Sequence, residues 1–184
     1  MFGCSYLGID SSASAIAIAR ARSLGLACRF EVAQVPPLPP GTFDVVLLLE
    51  TMLAFPEKER LVDEVSRALR VGGRFAFTLE EGRPLTESER ARMPDADTVW
   101  LTPLDEMHGV LARHGLVVRW QEDWSRSHRA VAEALTDAFA ADTTAIAGRI
   151  GRRALDELLA AHRLWSEWLE TGRVRKIALV AERR

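Results

Sequence analysis

Two acids stand where an apolar run gives way to polar residues. Asp10 follows Tyr6-Leu7-Gly8-Ile9 and precedes Ser11-Ser12, and Glu50 closes the run from Phe43 to Leu49. An acid at the carboxyl end of a parallel strand can accept two charge-assisted hydrogen bonds from the vicinal hydroxyls of a ribose. The same position equally lets Asp10 satisfy first-turn amides of a following helix. Glu50 lies where open parallel sheets bind ligands, and could meet a ligand or simply begin a loop. By residue type, His108, His114 and His128 are candidate bases. His108 and His114 are six apart and off one helical face, so they read as separate surface or core residues, and His162 as structural within a late helix. The five tryptophans invite a cage for a cationic amine. Trp165 and Trp168, three apart, read instead as helix packing, which leaves Trp100, Trp120 and above all Trp124. Arg149, Arg152 and Arg153 read as a solvated helix face.

The elements that must position these residues belong to a chain of 184 residues, 48% hydrophobic and 27% charged, enough for one full core. A single domain over 1–184 is expected. A net charge of -2 gives no field for nucleic acid or an anionic membrane. Two cysteines, Cys4 and Cys28, without a Cys/His cluster, exclude a disulfide framework and a structural zinc site, so no metal is expected and a reducing, cytoplasmic setting is. The N-terminal residues lack the pattern of a signal peptide, and no apolar run reaches the roughly 18 residues of a membrane span.

The pattern predicts strands at Phe2–Ile9 and Ala27–Val32, with a helix between them from the Asp10-Ser11-Ser12 cap to about Leu24, ended by Gly25. Prolines in VPPLPPGT forbid a helix or central strand there. The largely continuous apolar run Phe43–Leu49 predicts a strand covered on both faces. Leu61, Val62, Val65, Ala68 and Leu69 recur at helical spacing, Gly72-Gly73 ends that helix, and Arg74–Leu79 is the next strand. Arg83–Asp97 reads as a mobile insert, with Thr86 and Glu89 a capping box. Pro103 opens a helix to about Arg113, Leu116–Trp120 is a strand, Ser127–Thr171 is two helices broken near Asp142, and Arg175–Glu182 is a last strand.

A strand ending in an acid, a helix, a Pro-rich loop after the second strand, TFDVVLLLE, a helix and LRVGGRFAF occur in that order. This order resembles the class I S-adenosylmethionine-dependent methyltransferases of the small-molecule type, from about Tyr6 to Leu79. RKIALVAERR resembles the family's closing strand. The resemblance implies an α/β fold: a Rossmann-like, doubly wound, mostly parallel sheet with a C-terminal antiparallel strand. It implies a cofactor-side half, 1–82, and a substrate-side half, 83–184, with lid helices drawing on Trp100, Trp120 and Trp124. S-adenosylmethionine would be the cofactor, held by Asp10 and Ser11 at the ribose, by Gln34 and Val35 at the adenine, and by Leu49 and Glu50 toward its methionine part. The partner would be a small-molecule acceptor.

Two departures accompany this likeness. Val32 stands where the family places an adenine-binding acid, and Gln34 could accept from the adenine amine in its stead. The family's glycine-rich loop has no counterpart, since no G-x-G occurs in the sequence. Aligned on Asp10, the chain is expected to begin after the family's first strand-helix unit, of order 30 residues. That would leave strand edges open, with pairing to one another or to a second copy. Methyl transfer to a small molecule, impaired by truncation, is therefore weighed against a non-catalytic remnant or interaction module. A nicotinamide oxidoreductase fits poorly, for it too needs G-x-G-x-x-G.

Overall fold

The computed structural model describes residues 4–184. They form two compact units, Met1–Pro40 and Gly41–Arg184. Phe2 and Gly3, the start of the first expected strand, lie outside the described residues.

In the first unit, β1 (Tyr6–Asp10) pairs in parallel with β2 (Cys28–Val32), and α1 (Ala13–Arg22) connects them. Gly8 pairs with Phe30. A Cβ on Gly8 would lie 2.5 Å from the Phe30 ring, so the glycine is what lets the ring lie over the strand. Ser12 caps α1 by accepting from the Ala15 amide. Arg20 ties the helix to β2 by donating to the Phe30 carbonyl.

The second unit holds a four-stranded sheet in the order β3 (Phe43–Leu48), β4 (Leu69–Glu81), β6 (Arg175–Arg183), β5 (Leu116–Asp123). β3 runs parallel to β4, and β6 runs antiparallel to both β4 and β5. Strand periodicity sorts the two central strands into faces. Phe75, Phe77 and Leu79 of β4 pair with Ala181, Leu179 and Ile177 of β6, and all six are buried. The opposite face carries Thr78 and Glu80 beside Ala178 and Lys176. α2 (Lys58–Ala68) packs on β4, and α4 (Leu104–Arg113) packs on β5 and α2, burying Leu61, Val62, Val65, Met107 and Leu111. α5 (Ser125–Ala141) packs on β6 and on α7 (Arg152–Thr171), which α6 (Thr143–Ile150) precedes.

Several expectations change. β3 is not covered on both faces: Val45 and Leu47 are 50% and 56% exposed, because β3 is an outer strand of its sheet. Gly72-Gly73 does not end α2, which stops at Ala68; the pair lies inside β4, where the register to β3 jumps and Gly72 takes a φ of +76°. The helical stretch holds three helices, since Gly151, at φ +88°, adds a second break after Asp142. The Arg83–Asp97 insert is packed rather than mobile. Its helix α3 (Glu87–Arg92) has the Thr86/Glu89 capping box, and Leu85 and Met93 share a small core with Val99, Leu101, Leu164, Trp168 and Val174.

Candidate functional site

The second unit concentrates its polar chemistry on the face of the sheet that carries Thr78. Glu80, next to last in β4, is the direct cross-strand partner of Lys176 on β6. Lys176 is 1% exposed, and its ammonium donates both to Glu80 Oε1 and, at 2.7 Å, to Glu50 Oε2. Glu50, just past the end of β3, is fixed from two further directions. Its amide donates to Thr78 Oγ1 at 2.8 Å, and the Thr78 hydroxyl donates back to Glu50 Oε1 at 3.2 Å. These bonds hold Glu50 at φ 59°, a backbone region that costs a non-glycine residue on the order of 1 kcal/mol or more. His128 Nδ1 lies 3.9 Å from Glu50 Oε2. Burial first, and the Lys176 ammonium second, push the His128 imidazole below its ordinary value of 6.5, against the opposing pull of Glu50 and Glu80. The imidazole is therefore neutral at neutral pH and able to accept a proton.

Two helices wall this cluster into a cavity of about 240 Å³. α5 presents His128, Val131, Ala132 and Leu135, at the i, i+3, i+4, i+7 spacing of one helix face. α7 presents His162, Trp165 and Leu169 in the same manner. The start of α5 is clamped to the sheet at Lys176, whose amide donates to Ser125 Oγ and whose carbonyl accepts from the Trp124 amide. One oxygen, Glu80 Oε2, is buried without a hydrogen-bond partner among the described residues.

Residues 1–77 match the family described as a methyltransferase domain. The fold is that of Haemonchus contortus phosphoethanolamine N-methyltransferase 2, solved with phosphomonomethylethanolamine and S-adenosylhomocysteine: TM-score 0.83 at 17% identity, over 99% of this chain and 44% of that one. Geranyl diphosphate methyltransferase, solved with S-adenosylmethionine, gives a TM-score of 0.73 at 21% identity, over 100% of this chain and 70% of that one. The family match covers the first 77 of 184 residues, and over the whole chain the likeness to these methyltransferases is one of fold. The [4+2]-cyclase SpnF has the same fold, with a TM-score of 0.75 at 22% identity, over 97% of this chain and 66% of the cyclase. The chain thus spans less than two thirds of the cyclase and of the Haemonchus protein. No curated protein matches its sequence.

Of the residues expected from the sequence to hold cofactor, Asp10, Ser11, Gln34 and Val35 lie in the first unit and Leu49 and Glu50 in the second. Within the first, Asp10 pairs with Val32, and its carbonyl accepts from the Ala33 amide, so the loop bearing Gln34 leaves β2 beside Asp10. Asp10 is not the cap of α1, a role Ser12 takes; Asp10 Oδ1 accepts from the Ser12 amide at 2.7 Å. Gln34 and Leu49 are exposed. Of the candidate bases, His128 alone joins the cluster: His108 bonds Gln121, and His114 lies 3.2 Å from Asp63. Trp124 meets Trp120 edge-on and does not line this cavity, whereas Trp165 packs against Trp168, as the sequence suggests, and lines the cavity as well. Glu80 and Lys176 went unremarked in the sequence. Their signal was a lone lysine in the apolar run of RKIALVA, in step with Ala178 and Val180.

Among the described residues, no group of three or more His, Cys, Asp or Glu could hold a metal ion, and no helix is long and apolar enough to cross a membrane.

Proposed function

We propose that the chain binds S-adenosylmethionine and transfers its methyl group to a small-molecule acceptor. Asp10 carries this reading. It is an acid at the carboxyl end of a parallel strand, inside the segment that matches the methyltransferase domain. With Oδ1 on the Ser12 amide, Oδ2 makes no hydrogen bond among the described residues and can accept a ribose hydroxyl. Ser11 offers a hydroxyl beside it, the Gln34 amide oxygen accepts from the adenine amine, Val35 packs on the ring, and Leu49 and Glu50 meet the methionine end. The cofactor supplies the methyl as a sulfonium, and the protein's part is chiefly alignment of nucleophile and methyl carbon. The cofactor-side half is 1–82 and the substrate-side half 83–184, acting as one cytoplasmic domain. Two structural relatives solved with S-adenosylmethionine or S-adenosylhomocysteine support the cofactor.

Calorimetric titration with S-adenosylhomocysteine tests the reading. Binding is expected, and Asp10→Ala should weaken it by about 1–3 kcal/mol, the range for a charged hydrogen-bond partner. Unchanged affinity in that variant removes Asp10 from the site. The lack of G-x-G in the sequence favours a second reading, a non-catalytic interaction module that self-associates through strand edges. No binding, with self-association seen by light scattering, would establish that one instead.

A further inference from the structure

The cavity between the sheet and helices α5 and α7 has a charge pattern that the methyl-transfer reading does not use. Its carboxylates outnumber the cations that answer them. Glu50 and Glu80 share the single ammonium of Lys176. Arg175, which also lines the cavity, is already spent on Glu81 at 2.8 Å, with Asp123 at 3.8 Å. Lys58, within electrostatic reach of Glu80, gives its ammonium to the carbonyls of Phe55 and Trp100. Glu50 and Glu80 thus depend on one ammonium, and the shortfall falls on Glu80, a side chain nine-tenths buried in the cavity wall with Oε2 unpartnered among the described residues. A buried carboxylate oxygen left without a donor is costly, and natural proteins rarely keep one without use.

Apart from His128 and His162, the remaining lining is apolar or aromatic, with Leu53, Val131, Leu135, Trp165 and Leu169 the largest side chains. A cavity of about 240 Å³ admits a small organic molecule. Such a body with one positive, hydrogen-donating end matches the wall: the ammonium answers the Glu50/Glu80 excess, and the carbon frame packs on the leucines and on the Trp165 ring. We propose that this cavity binds a small organic amine as its ammonium ion, with Glu80 and Glu50 as the recognising carboxylates and Trp165 as an aromatic wall. Lys176 is then a positioning residue, which keeps the two carboxylates together at the mouth of β3 and β4. The inference deepens the methyl-transfer reading, on which it rests for its meaning, by naming the chemical class of the acceptor: the bound ammonium gives one proton to the neutral His128 imidazole in the same lining, and the freed nitrogen lone pair takes the methyl as the sulfonium C–S bond breaks and leaves a thioether.

The test is binding of cyclohexylamine, which is cationic at neutral pH, against cyclohexanol, its neutral counterpart of the same size, followed by ligand-observed NMR on the whole chain. Cyclohexylamine is expected to bind about tenfold or more tighter than cyclohexanol, as a charged hydrogen-bond pair requires. Glu80→Gln should erase that preference. Val131→Trp, placed on a half-exposed helix position whose side chain faces the cavity, should abolish binding of both while leaving thermal stability in place, which covers the case of Glu80→Gln failing to fold. Equal binding of the two probes, or no binding of either, overturns the inference. S-adenosylhomocysteine is titrated into the same samples. Its binding without that of the amine overturns only this inference, and amine binding without it overturns only the cofactor reading.

Discussion

At the scale of single residues, the ammonium of Lys176 is what permits Glu50 and Glu80 to lie together. Removing one partner of a buried ion pair leaves an uncompensated charge and typically costs about 3–5 kcal/mol. Lys176→Met should therefore lower unfolding stability by about that amount in chemical denaturation, and Glu80→Gln added to it should recover most of the loss. His128 supplies a second expectation. Its folded-state affinity for a proton is lowered by burial and by Lys176, while the unfolded imidazole titrates near 6.5. Between those two values the unfolded chain holds the extra proton, so stability falls as the pH drops below 6.5. His128→Gln should flatten that part of the stability curve. The sequence made Glu50 and His128 visible, because one ends an apolar run and the other is a titratable type. It hid Glu80 and Lys176, since their pairing joins residues 96 apart and depends on which strands become neighbours.

At the scale of elements, local signals were read well and the fate of faces was not. The caps at Ser12 and Thr86, the break at Asp142, the helix end at Thr171 and the strand before Glu50 follow from a few adjacent residues, which is all that a capping hydrogen bond involves. Whether the segment 83–97 stays put depends instead on a distant arginine. Arg173 donates to both oxygens of Glu89 and to the carbonyls of Arg83 and Pro84, and this bridge holds the Glu89 carboxyl at about 2. A carboxylate with its affinity for protons so depressed stabilises above its ordinary value of 4.5 and loses that contribution as the pH falls through about 2. The segment should thus resist pepsin in mild acid. Arg173→Ala should release it, with new cleavage sites confined to 83–97 and the rest of the chain intact.

At the scale of the whole molecule, Lys58 gives the alkaline side of the stability curve. Burial pulls its ammonium from 10.5 down to about 8, although Glu80 and Glu106 oppose the shift. Between about 8 and 10.5 the unfolded chain binds the extra proton, so stability should rise with pH across that window. Thermal melts from pH 7.5 to 10.5 should show this rise in the natural chain and not in Lys58→Met. The fold class was legible because the order of strands and helices is written along the chain. The order of strands across the sheet was not, for β6 comes last in sequence and enters between β4 and β5. That placement bears on synthesis. As the chain leaves the ribosome, β5 has no neighbour to bond until Arg175–Arg183 has emerged, and the ammonium that reconciles Glu50 with Glu80 travels on that same strand. Until translation delivers it, the half-made sheet keeps two carboxylates apart in water and an open seam in its middle, so the emergence of β6 and the closure of the pocket are one event.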